Sequence, residues 1–316
     1  VLGAAAAGAG VSVLLAVVDL PFAAVAHERA ADIGLSTQNW PDWLSDVGKS
    51  TAIGAGMAGV GAAIFLALIR RFPRNWWMPG SAAVVAFAAL LTFVGPVVLD
   101  PVFNKFEKLP EGRLRGEVLE LAQRSGVDVG EVYRIDASRR TTGANAYVNG
   151  LGSTKRVVLY DNLIDDFTPG EVRSVVAHEL GHVKQRDLQR GLLWLALVAP
   201  AAVFLIQRGT ERLLRDPDDA GRPASLPALA LMLSLVTLGV TLASNGMSRR
   251  VEARADAFAI DITRDPRSHI DLEKRLSVQN ISDPDPPAAW HDLFGTHPTT
   301  IERIGYGVTY EREHPR

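Results

Sequence analysis

The chain has 316 residues, a formal net charge of −2 and no cysteine. That length holds about two ordinary domains; the near-neutral charge gives no footing for nucleic acid, and the lack of cysteine excludes disulfides, thiolate metal sites and cysteine nucleophiles. Hydrophobic residues make up 47%, an ordinary share, but they gather into long blocks with the charges in the gaps.

Val1 to Ala26 is almost continuously apolar, interrupted late by Asp19 and Pro21. About 20 apolar residues suffice for a helix to cross a bilayer. Ala24-Val25-Ala26 resembles a signal-peptide cleavage site, but no basic segment precedes the block and Asp19 breaks it, so a membrane helix is expected. Val1 is not a start methionine, and residues are expected to precede it. His27 to Ser50 reads as a polar connection with Gly34, Pro41 and two interfacial tryptophans, Trp40 and Trp43. Thr51 to Ile69 is a second apolar block, and its Gly54, Gly56, Gly59 and Gly61 would let helices approach closely. Arg70, Arg71, Arg74 and Trp76-Trp77 mark the next interface, and Ser81 to Leu99 is a third block.

Asn104 to Arg190 reads as a water-soluble insert. A helix is expected over Leu114 to Ser125 with Gly126 as its stop. Strands are expected over Glu131 to Ala137, Ala144 to Val148 and Arg156 to Tyr160, the last two as a hairpin through Asn149 to Lys155. Thr168, Pro169 and Glu171 fit the N-cap, the first helical position and the first-turn acid of a further helix. Leu192 to Ile206, interrupted by Pro200, is a fourth apolar block; Arg208 to Pro223 is a charged loop; Ala224 to Ala243 is a fifth block. After it, Arg249 to Ile262 reads as a helix, Pro284, Pro286 and Pro287 as a loop, and Ile301 to Ile304 as a short helix after His297-Pro298. The expected organisation is membrane helices over 1–99, about three spans, and over 191–246, about two. Between and after them lie the two parts of a catalytic domain, 100–190 and 247–316, on one side of the membrane because two spans separate them.

The chemistry centres on His178-Glu179-Leu180-Gly181-His182. Helical residues turn 100° each, so His178 and His182 share a face one turn apart and can hold one metal ion, with Glu179 beside them as a general base toward water. A zinc hydrolase needs a third protein ligand and, with no cysteine, Glu, Asp or His must supply it. Glu252 is the best candidate, and Asp256, four residues on, is placed to bond the free ring nitrogen of a ligand histidine, His178 first among them. His297 and Arg303 are candidates for stabilising the oxyanion. The stretch Asn145, Ala146 and Tyr147 is a candidate substrate-binding edge, to which a peptide could add as a strand.

These residues together resemble the integral-membrane zinc metalloproteases of the type I CAAX prenyl endopeptidase family. The resemblance rests on the His-Glu-x-x-His stretch, Ser248-Arg249 with Glu252 and Asp256, Asn145 to Val148, Val157 to Asp161, and His297-Pro298 with Arg303. It extends to Leu20-Pro21-Phe22, Gly34-Leu35-Ser36 and Asp46 to Lys49. It implies a mainly α integral-membrane fold, a multi-span helical bundle enclosing a chamber, with a zincin-like α+β catalytic domain that contains a small β-sheet. It implies one zinc ion at His178, His182 and Glu252, Glu179 as base, and His297 and Arg303 facing substrate. The family has seven spans against the five read here, and its eukaryotic members cut farnesylated proteins near a C-terminal CAAX sequence.

The implied partners are a peptide or protein substrate, in the family's manner one prenylated at its C-terminus, and the lipid bilayer. Richness in Ala, Arg, Asp and Gly suggests a bacterial chain, hence an inner-membrane location. Lys105, Lys108, Lys184, Arg186, Arg190, Arg249 and Arg250 outnumber the basic residues of the opposite side and put the catalytic side in the cytoplasm. Two other readings stay open: an HtpX-like quality-control protease of membrane or misfolded proteins, and a non-catalytic zinc-stabilised scaffold or chaperone. A transporter would need paired charges inside the spans, which are lacking.

Overall fold

The computed structural model describes residues 1–150, 155–214 and 225–315. The tip of the expected hairpin and most of the charged loop before the fifth block lie outside these residues. Among those described, five helices are long and apolar enough to cross a membrane: α1 (Leu2–Asp32), α2 (Trp40–Arg71), α3 (Trp77–Val98), α8 (Asp187–Leu213) and α9 (Leu226–Thr263). All five correspond to apolar blocks of the sequence, but each is longer than its block. α1 continues through His27 to Asp32, and α2 starts at Trp40 because the Asn39 side chain accepts from the Asp42 N–H and Pro41 fits the first turn. The polar connection therefore shrinks to a few residues around Gly34, whose φ of +76° favours glycine. Pro200 does not interrupt the fourth block, since α8 runs through it, as membrane helices tolerate. The fifth block and the helix carrying Glu252 are one continuous helix, α9.

The chain divides into two compact units. The first comprises Val1–Ile33, Gln38–Leu90 and Leu192–Thr241. In it α1 packs along α2, and the close approach is made by small residues. A Cβ on Gly8 would lie 2.6 Å from Ala62 Cβ, and one on Gly59 would lie 3.0 Å from Ala5 O. Of the four glycines singled out in the second block, Gly56 and Gly61 face open space. Trp76, Val203 and Ile206 form a second contact. There the buried Gln207 accepts from the Trp77 N–H (3.1 Å) and donates to Arg74 O (2.9 Å).

The second unit comprises Gly34–Thr37, Leu91–Gly191 and Leu242–Arg316. It contains the short α4 (Asp100–Phe103), α5 (Arg113–Arg124), α6 (Asp161–Asp166), α7 (Pro169–Gln185), α10 (Pro266–Gln279), α11 (Ala288–Phe294) and α12 (Thr300–Glu313). Four strands, β1 (Phe106–Lys108), β2 (Glu131–Ile135), β3 (Ala146–Asn149) and β4 (Arg156–Tyr160), form one sheet in the order β1-β2-β4-β3. β3 and β4 pair antiparallel, Ala146 opposite Leu159 and Asn149 opposite Arg156, whereas β2 and β4 are parallel. β4 is central, and its Val157, Val158 and Leu159 are fully buried. Val157 and Leu159 join Val118, Leu121, Val172, Val176 and Leu180 in the main core, which packs the sheet on α5 and α7. Val158 faces the other side with Ile135, Tyr133 and Tyr147. β1, α6, α10 and α11 were not expected from the sequence, and the last helix is several turns longer than its periodicity suggested.

Candidate metal and peptidase site

α7 starts where its sequence says it should. The Thr168 hydroxyl caps the Glu171 N–H, and the Glu171 carboxylate accepts from the Thr168 N–H (2.7 Å), a capping box that leaves two terminal donors satisfied. The helix ends at Arg186, whose left-handed φ of 58° turns the chain directly into α8. That turn delivers Asp187, at the start of α8, back to His182. On its other side α7 lies tight against α9 at Gly181, where a Cβ would come within 3.0 Å of the Phe258 ring and 3.4 Å of Ala255 Cα.

This approach brings three ligand atoms together. His178 Nε2 lies 3.1 Å from His182 Nε2 and 3.2 Å from Glu252 Oε2, and His182 Nε2 is 3.7 Å from the same oxygen. Tetrahedral zinc with bonds of about 2.0–2.1 Å sets its ligands about 3.3 Å apart. The outer nitrogens are spoken for: His178 Nδ1 lies 2.8 Å from Asp256 Oδ1 and His182 Nδ1 lies 3.1 Å from Asp187 Oδ2. A carboxylate only accepts, so each Nδ1 carries a proton and each Nε2 is left to face the other two groups. Two Nε2 atoms and a buried carboxylate oxygen thus converge on one point. Burial works against a charged His178, but hydrogen bonds to Asp256 and Glu252 outweigh it and lift its pKa to about 10. A site that draws positive charge so strongly fits a metal cation.

Asp256 is fully buried and receives Arg303 on both oxygens, Nε at 2.8 Å and Nη2 at 2.6 Å. The third guanidinium nitrogen lies 2.8 Å from the buried Glu273. Burial pushes Glu273 up to about 7 and lowers the buried His269 to about 4. Asp256, His269 and Glu273 also cluster closely enough for a metal, but Arg303 already binds both carboxylates. Glu179 lines a cavity of about 730 Å³ together with His178, Asn145, His297 and Arg303, and burial raises its pKa above that of an ordinary glutamate. His297 Nε2 is 3.3 Å from Glu252 Oε2.

The candidate substrate strand divides. Asn145 lines the cavity, its side-chain oxygen accepting from the Ala146 N–H (2.8 Å). Ala146 is buried in the core under α7, and the Tyr147 hydroxyl lies 3.2 Å from Asp100 Oδ2. Neither side chain belongs to the cavity lining, because alternation along β3 turns them to the two faces of the sheet. Residue spacing did not reveal Asp187 or Glu273. A carboxylate five residues beyond the second histidine was the available signal for Asp187, but the left-handed turn that uses it is not written in any periodicity.

A motif helix with two imidazoles and a carboxylate converging beside a cavity, in a chain whose described residues hold five membrane-length helices, defines a membrane metallopeptidase. The peptidase family M48 model matches residues 108–306, and that of the CAAX prenyl protease N-terminal region, described as five membrane helices, matches residues 5–105; three long apolar helices occupy that stretch here. The chain belongs to peptidase family M48, as a membrane metalloendopeptidase of the CAAX prenyl protease type. It is 31% identical over 306 residues to the uncharacterized metalloprotease YhfN of Bacillus subtilis, covering 95% of this chain and 72% of that one. It is 27% identical to CAAX prenyl protease 1 of Saccharomyces cerevisiae, covering 93% and 69%. The rice CAAX prenyl protease 1 homolog is 31% identical, and there the chain spans about half (52%) of the relative's length. In fold it is similar to the crystal structure of S. mikatae Ste24p, with a TM-score of 0.83 at 24% identity over 94% of this chain and 74% of that one.

Proposed function

We propose that this chain is a zinc endopeptidase whose ion is held by His178, His182 and Glu252, with Glu179 as the general base. The supporting observation is the convergence of two Nε2 atoms and one carboxylate oxygen at the separations tetrahedral zinc sets between its ligands. Zinc, when bound, supplies a Lewis acid that activates water and polarises a carbonyl. Glu179 takes a proton from the attacking water and returns it to the leaving amine as the C–N bond breaks. Burial raises the Glu179 pKa above the ordinary glutamate value, which strengthens it as the acceptor of that proton.

His297, exposed at the cavity beside Glu252, donates to the oxyanion. Arg303 acts mainly by holding Asp256, and Asp256 by fixing the His178 tautomer. The substrate adds along the open edge of β3, the terminal strand of the sheet. Asn145 bonds the substrate backbone and its neighbours Ala146 and Tyr147 contribute main chain. In this reading the catalytic unit faces the cytoplasm of a bacterial inner membrane, supported by the basic residues beside the spans on that side. A prenylated C-terminus as substrate is supported by the names of the relatives, CAAX prenyl protease 1.

Glu179→Gln should retain zinc and lose peptide cleavage by about a hundred- to ten-thousand-fold, the range a general base contributes. Metal content and mass-spectrometric cleavage of matched prenylated and unmodified peptides, with and without chelator, test the parts separately. Full activity of a zinc-loaded Glu179→Gln enzyme would refute the mechanism. Equal cleavage of both peptides would remove the prenyl requirement alone.

A further inference from the structure

The seven residues of α11 turn an apolar face outward. Trp290, Leu293 and Phe294 are 63%, 46% and 44% exposed. Their spacing of three and four puts them on one side of the helix, and the Trp290 and Phe294 rings are 4.5 Å apart. Such a face on a water-borne surface is costly. Its position within the fold supplies a reason.

α11 is tied to one place on α9. The Asn245 amide donates to Leu293 O (2.7 Å), and Arg249 donates to Gly295 O (2.7 Å) and His291 O (3.2 Å), so three carbonyls at the end of α11 are held by two side chains one turn apart. Those side chains sit where α9 changes character. From Leu226 to Ser248 the helix has no charged residue, and Arg249 and Arg250 are the first it meets. At 1.5 Å per residue, Asn245 lies about 3 Å beyond Ala243, the end of the apolar run. This is the level at which a membrane helix passes into the headgroups, where tryptophan and arginine concentrate. On its other side α11 borders the candidate active-site cavity, which His291, Phe294 and Gly295 line.

We propose that α11 is an interfacial helix whose Trp290, Leu293 and Phe294 face lies in the lipid headgroup–acyl boundary, so that one lip of the active-site cavity rests on the membrane surface. The occupant of this face is lipid. A peptide with a lipid-anchored end reaches the cavity across this lip without leaving the membrane surface.

The chain contains no cysteine, so a label can be placed at single sites without other changes. The full chain is reconstituted in vesicles of phosphatidylcholine and phosphatidylglycerol. A bimane label is then compared at Trp290→Cys and Asp292→Cys, position 292 being on the water side of the same helix with its side chain 75% exposed. At 290, quenching by a lipid carrying a nitroxide high on its acyl chain should exceed that at 292, and iodide should quench 292 more. Iodide quenching at 290 equal to that at 292, with no lipid quenching, would place the face in water and overturn the proposal. In a second measurement, Trp290→Ser with Leu293→Ser is assayed on a vesicle-anchored peptide and on the same peptide free in solution. The ratio of the two rates should fall about ten-fold, the equivalent of one aliphatic side chain's transfer to lipid. An unchanged ratio counts against the lip, whatever happens to the absolute rates.

Discussion

Each histidine of the motif is oriented by its own carboxylate: Asp256 behind His178 and Asp187 behind His182. The two supports differ in depth. Asp256 is fully buried and locked to Arg303, whereas Asp187 stands at a helix junction and also lies 3.6 Å from Arg254. Outer partners of this kind are worth about ten- to a hundred-fold in metal affinity. Asp187→Asn and Asp256→Asn should therefore each weaken zinc binding by about that factor, read by competition with a chromophoric chelator. Asp256→Asn should cost more, because it also removes the buried carboxylate that accepts from Arg303 Nε and Nη2.

The buried His269 gives a separate signature. Its pKa is lowered by burial to about 4, below the ordinary 6.5. A group with a lowered basic pKa is neutral in the fold and charges more readily when unfolded. Its contribution is whole above pH 6.5 and is lost as pH falls toward 4. With a shift of this size it removes at most about 3 kcal/mol. His269→Gln should flatten the fall of Tm between pH 6.5 and 4, measured in detergent. An equally steep fall would show that another group governs acid stability.

At the scale of elements, the site depends on how closely α7 and α9 pack. Gly181 is the contact point, and two effects compete there. Alanine gains about 1 kcal/mol of helix propensity over glycine, while a Cβ 3.0 Å from the Phe258 ring and 3.4 Å from the Ala255 backbone costs about 1–3 kcal/mol. Gly181→Ala should therefore lie between neutral and about 2 kcal/mol destabilising. Gly181→Val adds a branched side chain with nowhere to go and should destabilise by about 2–3 kcal/mol, read as a drop in Tm. It should also lower zinc occupancy by moving Glu252 away from the histidines. Unchanged zinc affinity in that variant would mean that the α7–α9 spacing does not set the ligand geometry.

For the whole molecule, the proposed ion joins α7 to α9, which are far apart in sequence. A ligand that binds only the folded chain stabilises it by about 3 kcal/mol at a free concentration a hundred times its Kd. Chelation should therefore lower the Tm of the wild-type chain, and His182→Ala should be less stable from the start and respond little to chelator. The five membrane-length helices make the protein an integral multi-span membrane protein, so these measurements belong in detergent or vesicles.

The sequence by itself determined the five apolar blocks, because a bilayer demands length and apolarity that composition displays directly. It also determined the two histidines, Glu179, and the start of α7, since a single helix turn and a capping box are local. β4 was legible to the residue, its apolar run being the mark of a strand covered on both sides. Three things were decided only by the tertiary structure. The continuity of α9 through its polar half was one, since nothing in the loss of apolar residues distinguishes a helix leaving a membrane from a helix ending. The roles of Asp187 and Glu273 were another, because a left-handed residue at Arg186 and the reach of Arg303 bring together groups that no spacing relates. The third was the placing of Ala146 in the core under α7 and of Tyr147 on the opposite face of the sheet, both away from the cavity, fixed by the register in which β3 pairs with β4. Local periodicity records what one element needs, while these arrangements arise where two elements meet.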